Sequence, residues 1–155
     1  MLLRGQRDVG GMALVEKSVL VGYSAERMHR LVDDVERYPE FLPWCGGTQV
    51  ELREAGLTRA TILIDYHGLK QSVKTENRTQ PPAVIEIRLV SGPFRQLDGL
   101  WRFTPLAPDS CKIQFRLRYE FANRLLEKLV GPVFKHIANT LLEAFLQRAE
   151  RLYGK

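Results

Sequence analysis

Cysteine is scarce in this chain of 155 residues, which contains two of them, Cys45 and Cys111. Two cysteines cannot build a disulfide-rich scaffold, and they do not stand in the C-x-x-C spacing of zinc sites and redox motifs. So few cysteines are typical of proteins from reducing compartments. The cysteine content therefore predicts a cytoplasmic protein.

Long hydrophobic runs are also absent. No segment approaches the roughly 18 consecutive apolar residues of a membrane span, and Arg4 and Arg7 interrupt the N-terminal segment, which excludes the apolar core of a secretory signal. Gly10 and Gly11 separate this segment from a strand pattern that begins near Met12. We expect residues 1–11 to be a disordered extension and residues 12–155 to form a single domain.

The sequence lacks the motifs of metal and nucleophilic catalysis. Its three histidines form no H-E-x-x-H motif, no pair at helical spacing and no cluster with cysteine, and there is no G-x-S-x-G elbow or phosphate-binding loop. Cys45 beside Trp44 is either a nucleophile or a small buried side chain. Asp65 and His67 are either an acid–base pair or the exposed end of a hairpin. The sequence therefore predicts no metal site, no required cofactor and no enzymatic activity.

Acidic residues are few in the second half of the chain. The net charge is +5, and residues 81–155 hold 12 basic and 7 acidic side chains, whereas residues 12–80 hold 9 and 10. A basic surface of this kind contacts RNA, a ribosome or an anionic lipid surface, or is simply a solvated face. The charge pattern thus leaves open a ribosomal partner and a peripheral membrane contact.

What the sequence does contain is period-two alternation of apolar and polar residues, which predicts β-strands. The predicted strands span residues 14–22, 46–54, 58–67, 70–79, 83–90, 96–105 and 111–121. Turn residues such as Ala55-Gly56 and His67-Gly68 separate the last six strands. Connections this short predict antiparallel hairpins that form a meander.

Helical periodicity marks two further regions. A helix is predicted near residues 25–35, capped by Ser24, with a short helical turn between Pro39 and Pro43. A long amphipathic helix is predicted over residues 123–153. Gly131-Pro132 interrupts this pattern, so that the long helix either kinks or begins anew at Pro132.

The order of elements predicts an α+β fold. A curved antiparallel sheet of about seven strands cannot bury its concave face alone, and the long C-terminal helix is the one element able to cover it. Such a helix across a bent sheet, with two short helices after the first strand, encloses a cavity. This arrangement predicts a container for a ligand.

Several local motifs resemble the START-like, or helix-grip, superfamily. The matching segments are D-V-E-R-Y-P-E-F-L-P-W-C at residues 34–45, S-G-P-F at 91–94, L-W-R-F at 100–103, G-P-V-F at 131–134, A-F at 144–145, R-A at 148–149 and L-Y-G at 152–154. Within the superfamily they are similar to the branch of coenzyme Q-binding START proteins and bacterial RatA ribosome-association toxins, often labelled polyketide cyclase-like.

The resemblance implies two functions. The first is a non-enzymatic protein that holds ubiquinone, or another isoprenoid or lipid, between the sheet and the C-terminal helix and supports respiration. The alternative is a toxin that binds the large ribosomal subunit and blocks subunit association. A polyketide cyclase-like enzyme is a third and weaker implication, since function does not follow from fold.

Each function has candidate residues. The predicted lining of the ligand cavity is Tyr38, Phe41, Trp44, Phe94, Trp101, Phe115, Val133, Ile137 and Leu141. The segment from Tyr38 to Trp44 is either a gate at the cavity mouth or a core plug that docks the short helices.

A candidate ribosome contact lies on the outward faces of two neighbouring strands, with Arg102 on one and Lys112, Arg116 and Arg118 on the other. These cations match RNA phosphates. They lack the interleaved exposed aromatics of a base-stacking platform, so sequence-specific nucleic-acid recognition is not predicted.

Overall fold

The computed structural model of the protein describes residues 2–9 and 11–154, with side chains from Gly11 onward. The strands are β1 (Leu2–Val9), β2 (Met12–Val21), β3 (Cys45–Glu54), β4 (Leu57–Tyr66), β5 (Leu69–Gln80), β6 (Val84–Ser91), β7 (Phe94–Ala107) and β8 (Ser110–Phe121). The helices are α1 (Ala25–Asp33), a 3₁₀ helix (Val35–Glu40) and α2 (Arg124–Tyr153). The seven predicted strands are all present.

The strands form one antiparallel sheet in the order β1-β2-β8-β7-β6-β5-β4-β3. Strands β3 to β8 are a meander, and β2 closes on β8, with Ala13 opposite Tyr119 and Val21 opposite Cys111. Bulges in β3 and in β7 change the local register, which bends the strands. The predicted α+β helix-grip fold, a curved antiparallel sheet under a long C-terminal helix, is confirmed.

Strand β1 differs from the disordered extension predicted for residues 1–11. It pairs with β2 from Leu2 opposite Val19 to Val9 opposite Met12, so it adds an eighth strand at the sheet edge. Gly11, with φ of +88°, adopts a turn conformation that favours glycine. The sequence of β1 carries little alternation, and its pairing supplies backbone partners to the edge of β2, a contribution that side-chain patterns do not reveal.

Both α-helices carry explicit caps. The Ser24 hydroxyl accepts a hydrogen bond from the Arg27 amide at 3.2 Å, and the Asn123 side chain accepts one from Leu126 at 2.8 Å. Helix α2 continues without a break through Pro132, so the alternative of two separate helices is not realised. It ends at Gly154, whose φ of +77° is the left-handed conformation of a glycine cap.

The core lies between the inner face of the sheet and the helices. The predicted alternation of β8 is confirmed, since its inward residues from Cys111 to Phe121 are all buried. Val130, Leu142 and Phe145 of α2 face this surface and are almost fully buried. Within the described residues, neither α1 nor α2 combines the length and the apolarity that crossing a bilayer requires.

Candidate functional site

An apolar cavity of about 100 Å³ lies between the sheet and α2, where the sequence predicted a ligand container. It is lined by Trp44, Ile62, Ile64, Val73, Thr75, Ile87, Leu97, Phe115, Leu117, Phe134, Ile137, Ala138 and Leu141. No carboxylate, imidazole, amine or thiol stands among these lining residues. The cavity is therefore suited to an apolar group and offers no acid–base chemistry.

The volume of the cavity limits what it holds. Ligand pockets usually measure about 300–1,000 Å³, and a dry apolar cavity of about 150 Å³ is enough for one benzene molecule. At about 100 Å³ the cavity is smaller than either. A quinone ring with an isoprenoid tail requires α2 to move away from the sheet.

Some of the predicted lining residues reach the cavity. Trp44, Phe115, Ile137 and Leu141 line it, as predicted. Val133 instead packs, partly buried, against the edge of the core. The sequence could not separate these cases, because cavity lining and core use the same residue types.

Phe94 also lies outside the cavity. Its ring packs on Phe121 at 4.9 Å and on Phe134 at 4.7 Å between ring centroids. These three rings fill the space where β7 and β8 meet the N-terminal half of α2. Phe94 therefore stabilises the end of the core next to the cavity.

The remaining three predicted residues surround Phe145 of α2. Tyr38, Phe41 and Trp101 each place a ring centroid 5.4 Å from that of Phe145, with the rings edge to face. The Tyr38 hydroxyl donates a hydrogen bond to the Val32 carbonyl, and burial raises the pKa of this phenol well above its usual range. Of the two interpretations of this segment, the structure favours the core plug.

Several lining residues were not named as ligand-binding candidates from the sequence. Four of them lie on β4 and β5, at Ile62, Ile64, Val73 and Thr75, and the others are Ile87, Leu97, Leu117, Phe134 and Ala138. The signal that identifies them is alternation, because the odd-numbered residues of β5 face inward. The polar lining residue, Thr75, has a partner within the protein, since its hydroxyl donates to Asn77 Oδ1 at 3.1 Å.

Neither weak catalytic candidate has the geometry of a catalytic group. Cys45 is buried, its thiol donates to the Gly47 carbonyl at 3.6 Å, and burial raises the pKa of the thiol. His67 is exposed in the turn between β4 and β5, with φ of +52°. Among the described residues no hydrogen bond joins His67 to Asp65. The buried thiol and the hairpin end are the interpretations that fit.

A second candidate site lies on the outer face of the sheet. A shallow groove of about 640 Å³ crosses β6, β7 and β8, and Arg88, Arg102, Arg116 and Arg118 line it. Arg118 is paired with Asp98, with its Nε 3.1 Å from Oδ1. In the part of the chain with described side chains, no carboxylate lies within ion-pair distance of the guanidinium of Arg102 or Arg116. The same holds for Arg88, so among the described residues three guanidinium groups of the groove face solvent without an ion pair.

Three of the four predicted ribosome contacts, Arg102, Arg116 and Arg118, lie together in this groove. Lys112 shares the outer face but lies outside the groove lining, opposite Thr104 near the start of β8. Arg88 joins the groove from β6 and was not among the residues predicted from the sequence. Its place follows from the pairing of β6 with β7, which sets Arg88 opposite Asp98.

Comparison with known proteins gives a family match over most of the chain. A family model described as polyketide cyclase / dehydrase and lipid transport matches residues 21–146. The START-like resemblance inferred from the motifs is thereby confirmed.

Two bacterial toxins are similar to the chain over nearly their full length. The ribosome association toxin RatA of Pseudomonas aeruginosa is 42% identical over 140 residues, which cover 90% of this chain and 97% of that protein. The persistence and stress-resistance toxin PasT of Escherichia coli is 40% identical over 143 residues, which cover 92% of this chain and 90% of that one.

A mitochondrial protein is more distantly similar. The coenzyme Q-binding protein COQ10 homolog B of Xenopus laevis is 29% identical over 143 residues. The match covers 90% of this chain and 59% of the frog protein.

Solved structures share the fold. The Zhui aromatase/cyclase from Streptomyces sp. R1128 superposes with a TM-score of 0.79 at 18% identity, over 90% of this chain and 94% of that one. A START superfamily protein from Mycobacterium smegmatis has a TM-score of 0.72 at 26% identity, over 90% and 98%.

Proposed function

The chain belongs to the polyketide cyclase / dehydrase and lipid transport family, and from this premise we propose that it binds the large ribosomal subunit and prevents the two subunits from joining. The observation that carries the proposal is the 42% identity to a ribosome association toxin over 97% of that toxin. The similarity to the coenzyme Q-binding protein is lower, at 29%, and covers 59% of that protein. The alternative implied by the motifs is thus better supported than ubiquinone binding.

The two candidate sites support the same choice. The interior cavity is too small for a quinone with its tail, whereas the outer groove is open and presents Arg102 and Arg116 to solvent. Unpaired guanidinium groups bind phosphates with two hydrogen bonds each. The groove therefore has the chemistry for ribosomal RNA, and it is the surface we assign to the ribosome.

Binding through this groove is electrostatic and reads no bases. Neutralising RNA phosphates releases counterions, so the affinity falls steeply as salt concentration rises. A protein anchored on the large subunit at the surface that meets the small subunit blocks their association by occupying it. No catalytic step, metal or cofactor is required for this action, and it takes place in the cytoplasm.

The test is co-sedimentation of the purified protein with isolated large subunits across a range of salt concentrations, together with sucrose-gradient profiles of subunit joining. The variant Arg102→Glu/Arg116→Glu reverses two of the three cations in the groove that have no ion pair. We expect it to weaken binding by about a hundredfold or more, given charge reversal at two phosphate contacts. The wild-type protein shifts the gradient from joined ribosomes to free subunits, and the variant does not.

The matched control is Arg30→Glu/Arg151→Glu, which makes the same change in net charge at exposed positions on α1 and α2. It should bind nearly as wild type does. Equal loss of binding in both variants would mean that binding depends on the net charge of the protein and not on the groove. Absence of subunit binding by the wild-type protein at any salt concentration would refute the proposed function itself.

The cavity supports a second candidate, binding of a small apolar ligand. Its lining is apolar and includes Trp44, whose fluorescence reports occupancy. If α2 moves away from the sheet to admit the ring, a titration with short-chain ubiquinone should give saturable quenching, which Ala138→Leu abolishes by filling the cavity. Quenching that is merely collisional, or that is identical in the variant, would exclude this site. Ribosome binding by Ala138→Leu should remain, because Ala138 is fully buried away from the groove.

A further inference from the structure

The first half of α2 exposes two large apolar side chains that the fold does not use. Leu125 is 65% exposed and Leu129 is 58% exposed, although Val130, the next residue along the helix, is fully buried. Isolated exposed leucines are common on protein surfaces. These two stand four residues apart on one helix, so they are neighbours on its surface.

The leucines continue into a row along the helix. Pro132 and His136 follow at the spacing of one helical face, and both are exposed. We call Leu125, Leu129 and Pro132 the apolar row. It ends beside His136, whose ring stacks on that of Tyr66 with the ring centroids 5.8 Å apart and an interplanar angle of 6°. The row faces solvent beside the helix face that is packed on the sheet.

A second row runs parallel to the first on the solvent side. It consists of Arg124, Lys128 and Lys135, all exposed, and we call it the cationic row. Glu127 borders the cationic row on the side away from the leucines, and it shares grooves with Arg124, Lys128 and Lys135. The outward surface of α2 from Arg124 to His136 therefore places positive side chains directly beside the leucines, with Glu127 and Glu120 on the far side of the cationic row.

We propose that this surface docks the protein on an anionic lipid bilayer, with Leu125 and Leu129 entering the acyl boundary and the cationic row at the phosphate headgroups. The parallel arrangement of an apolar row and a cationic row is the geometry of an interfacial helix. Cations near an anionic leaflet are attracted additively. A protein partner would need a groove complementary in shape to the convex helix, whereas lipid acyl chains adapt to any apolar surface. RNA phosphates would match the cations but leave the leucines in water.

The test is sedimentation of the full-length protein with vesicles of phosphatidylcholine mixed with phosphatidylglycerol, and with vesicles of phosphatidylcholine alone. The wild-type protein is expected to bind the mixed vesicles and to bind the neutral ones weakly. Leu125→Gln/Leu129→Gln should reduce binding to mixed vesicles by about tenfold or more, since glutamine keeps helix propensity but removes the apolar side chains. Arg124→Gln/Lys128→Gln should abolish the preference for anionic lipid.

Leu152→Gln is the matched control, because Leu152 is also exposed, at 51%, but lies at the opposite end of α2. It should bind vesicles as wild type does. The proposal is overturned if the wild-type protein binds neither the mixed nor the neutral vesicles. It is equally overturned if Leu152→Gln loses as much binding as Leu125→Gln/Leu129→Gln. It is also overturned if Leu125→Gln/Leu129→Gln loses binding to large subunits while no form of the protein binds vesicles, since the surface then serves the ribosome.

Discussion

His29 is an imidazole enclosed between α1 and the hairpin of β5 and β6. Its Nε2 lies 2.6 Å from the hydroxyl oxygen of Thr79, and that hydroxyl donates to the Val84 carbonyl at 3.2 Å. Because the single hydroxyl hydrogen is used there, Nε2 carries the hydrogen of the neutral ring and donates it to Thr79. Burial lowers the pKa of His29, and the nearby carboxylate of Asp33 opposes this only in part.

This residue predicts a loss of stability in mild acid. The unfolded chain takes up a proton near the ordinary histidine pKa of about 6.5, whereas folded His29 resists protonation until a lower pH. The free energy of unfolding should therefore be nearly constant between about pH 7 and pH 8 and decline as the pH falls below about 6.5. Urea denaturation across this range measures the decline.

Glutamine at the same position separates the titration from the hydrogen bond. His29→Gln keeps a donor for Thr79 but does not titrate, so its stability should be nearly flat between about pH 5 and pH 7. His67→Gln, at an exposed turn position, should keep the wild-type slope. The interpretation fails if His29→Gln shows the same decline as wild type. Ion pairs lower the pKa values of carboxylates such as Glu51 and Glu76. Their protonation therefore lowers the free energy of unfolding only at more acidic pH.

At the scale of elements, one arginine joins the end of α2 to the 3₁₀ helix. Arg148 Nη2 lies 2.7 Å from Glu40 Oε1, and its guanidinium lies 4.9 Å from the centre of the Phe41 ring. Glu40 also accepts from Arg37 at 2.9 Å, so the pKa of Glu40 is lowered by both partners. The side chain of Arg148 is 12% exposed, which makes it the inner member of this cluster.

Removing the Arg148 guanidinium should weaken the contact between α2 and the 3₁₀ helix. Arg148→Met keeps the apolar stem but deletes the ion pair and the cation–π contact, and it should lower the free energy of unfolding by about 1–2 kcal/mol. Arg151→Met, on the exposed side of the same helix, should change it by less than about 0.5 kcal/mol. Chemical denaturation at neutral pH compares the two. A similar small effect in both variants would mean that Phe41 and Phe145 dock the 3₁₀ helix without help.

The elements themselves were largely predictable from the sequence. Period-two alternation located β2 to β8 because one face of each strand is buried, and cap residues located α1 and α2. Two points were not predictable. Strand β1 is held by backbone pairing, and α2 continues through Pro132, with Val130 and Phe134 buried on either side of it.

At the scale of the whole molecule, the candidate sites were predictable to different degrees. The outer groove follows from strand alternation, which set Arg102 and Arg116 outward; the pairing of Arg118 with Asp98 needed the cross-strand register. The size of the cavity was not predictable from the sequence, because it depends on how closely α2 approaches the sheet. Sequence patterns therefore indicated which side chains face inward, but not that they nearly fill the space.

The pairing of β2 with β8 joins segments about 100 residues apart in the chain. During synthesis the hairpins from β3 onward can close one after another, while β2 keeps an open edge until β8 is made and α2 covers the sheet. Two strands of the outer groove, β7 and β8, are among the last parts of the chain to be translated. If the groove binds the ribosome as proposed, an incomplete chain has no groove and cannot inhibit. The ribosome that synthesises the protein is therefore not inhibited before synthesis is complete.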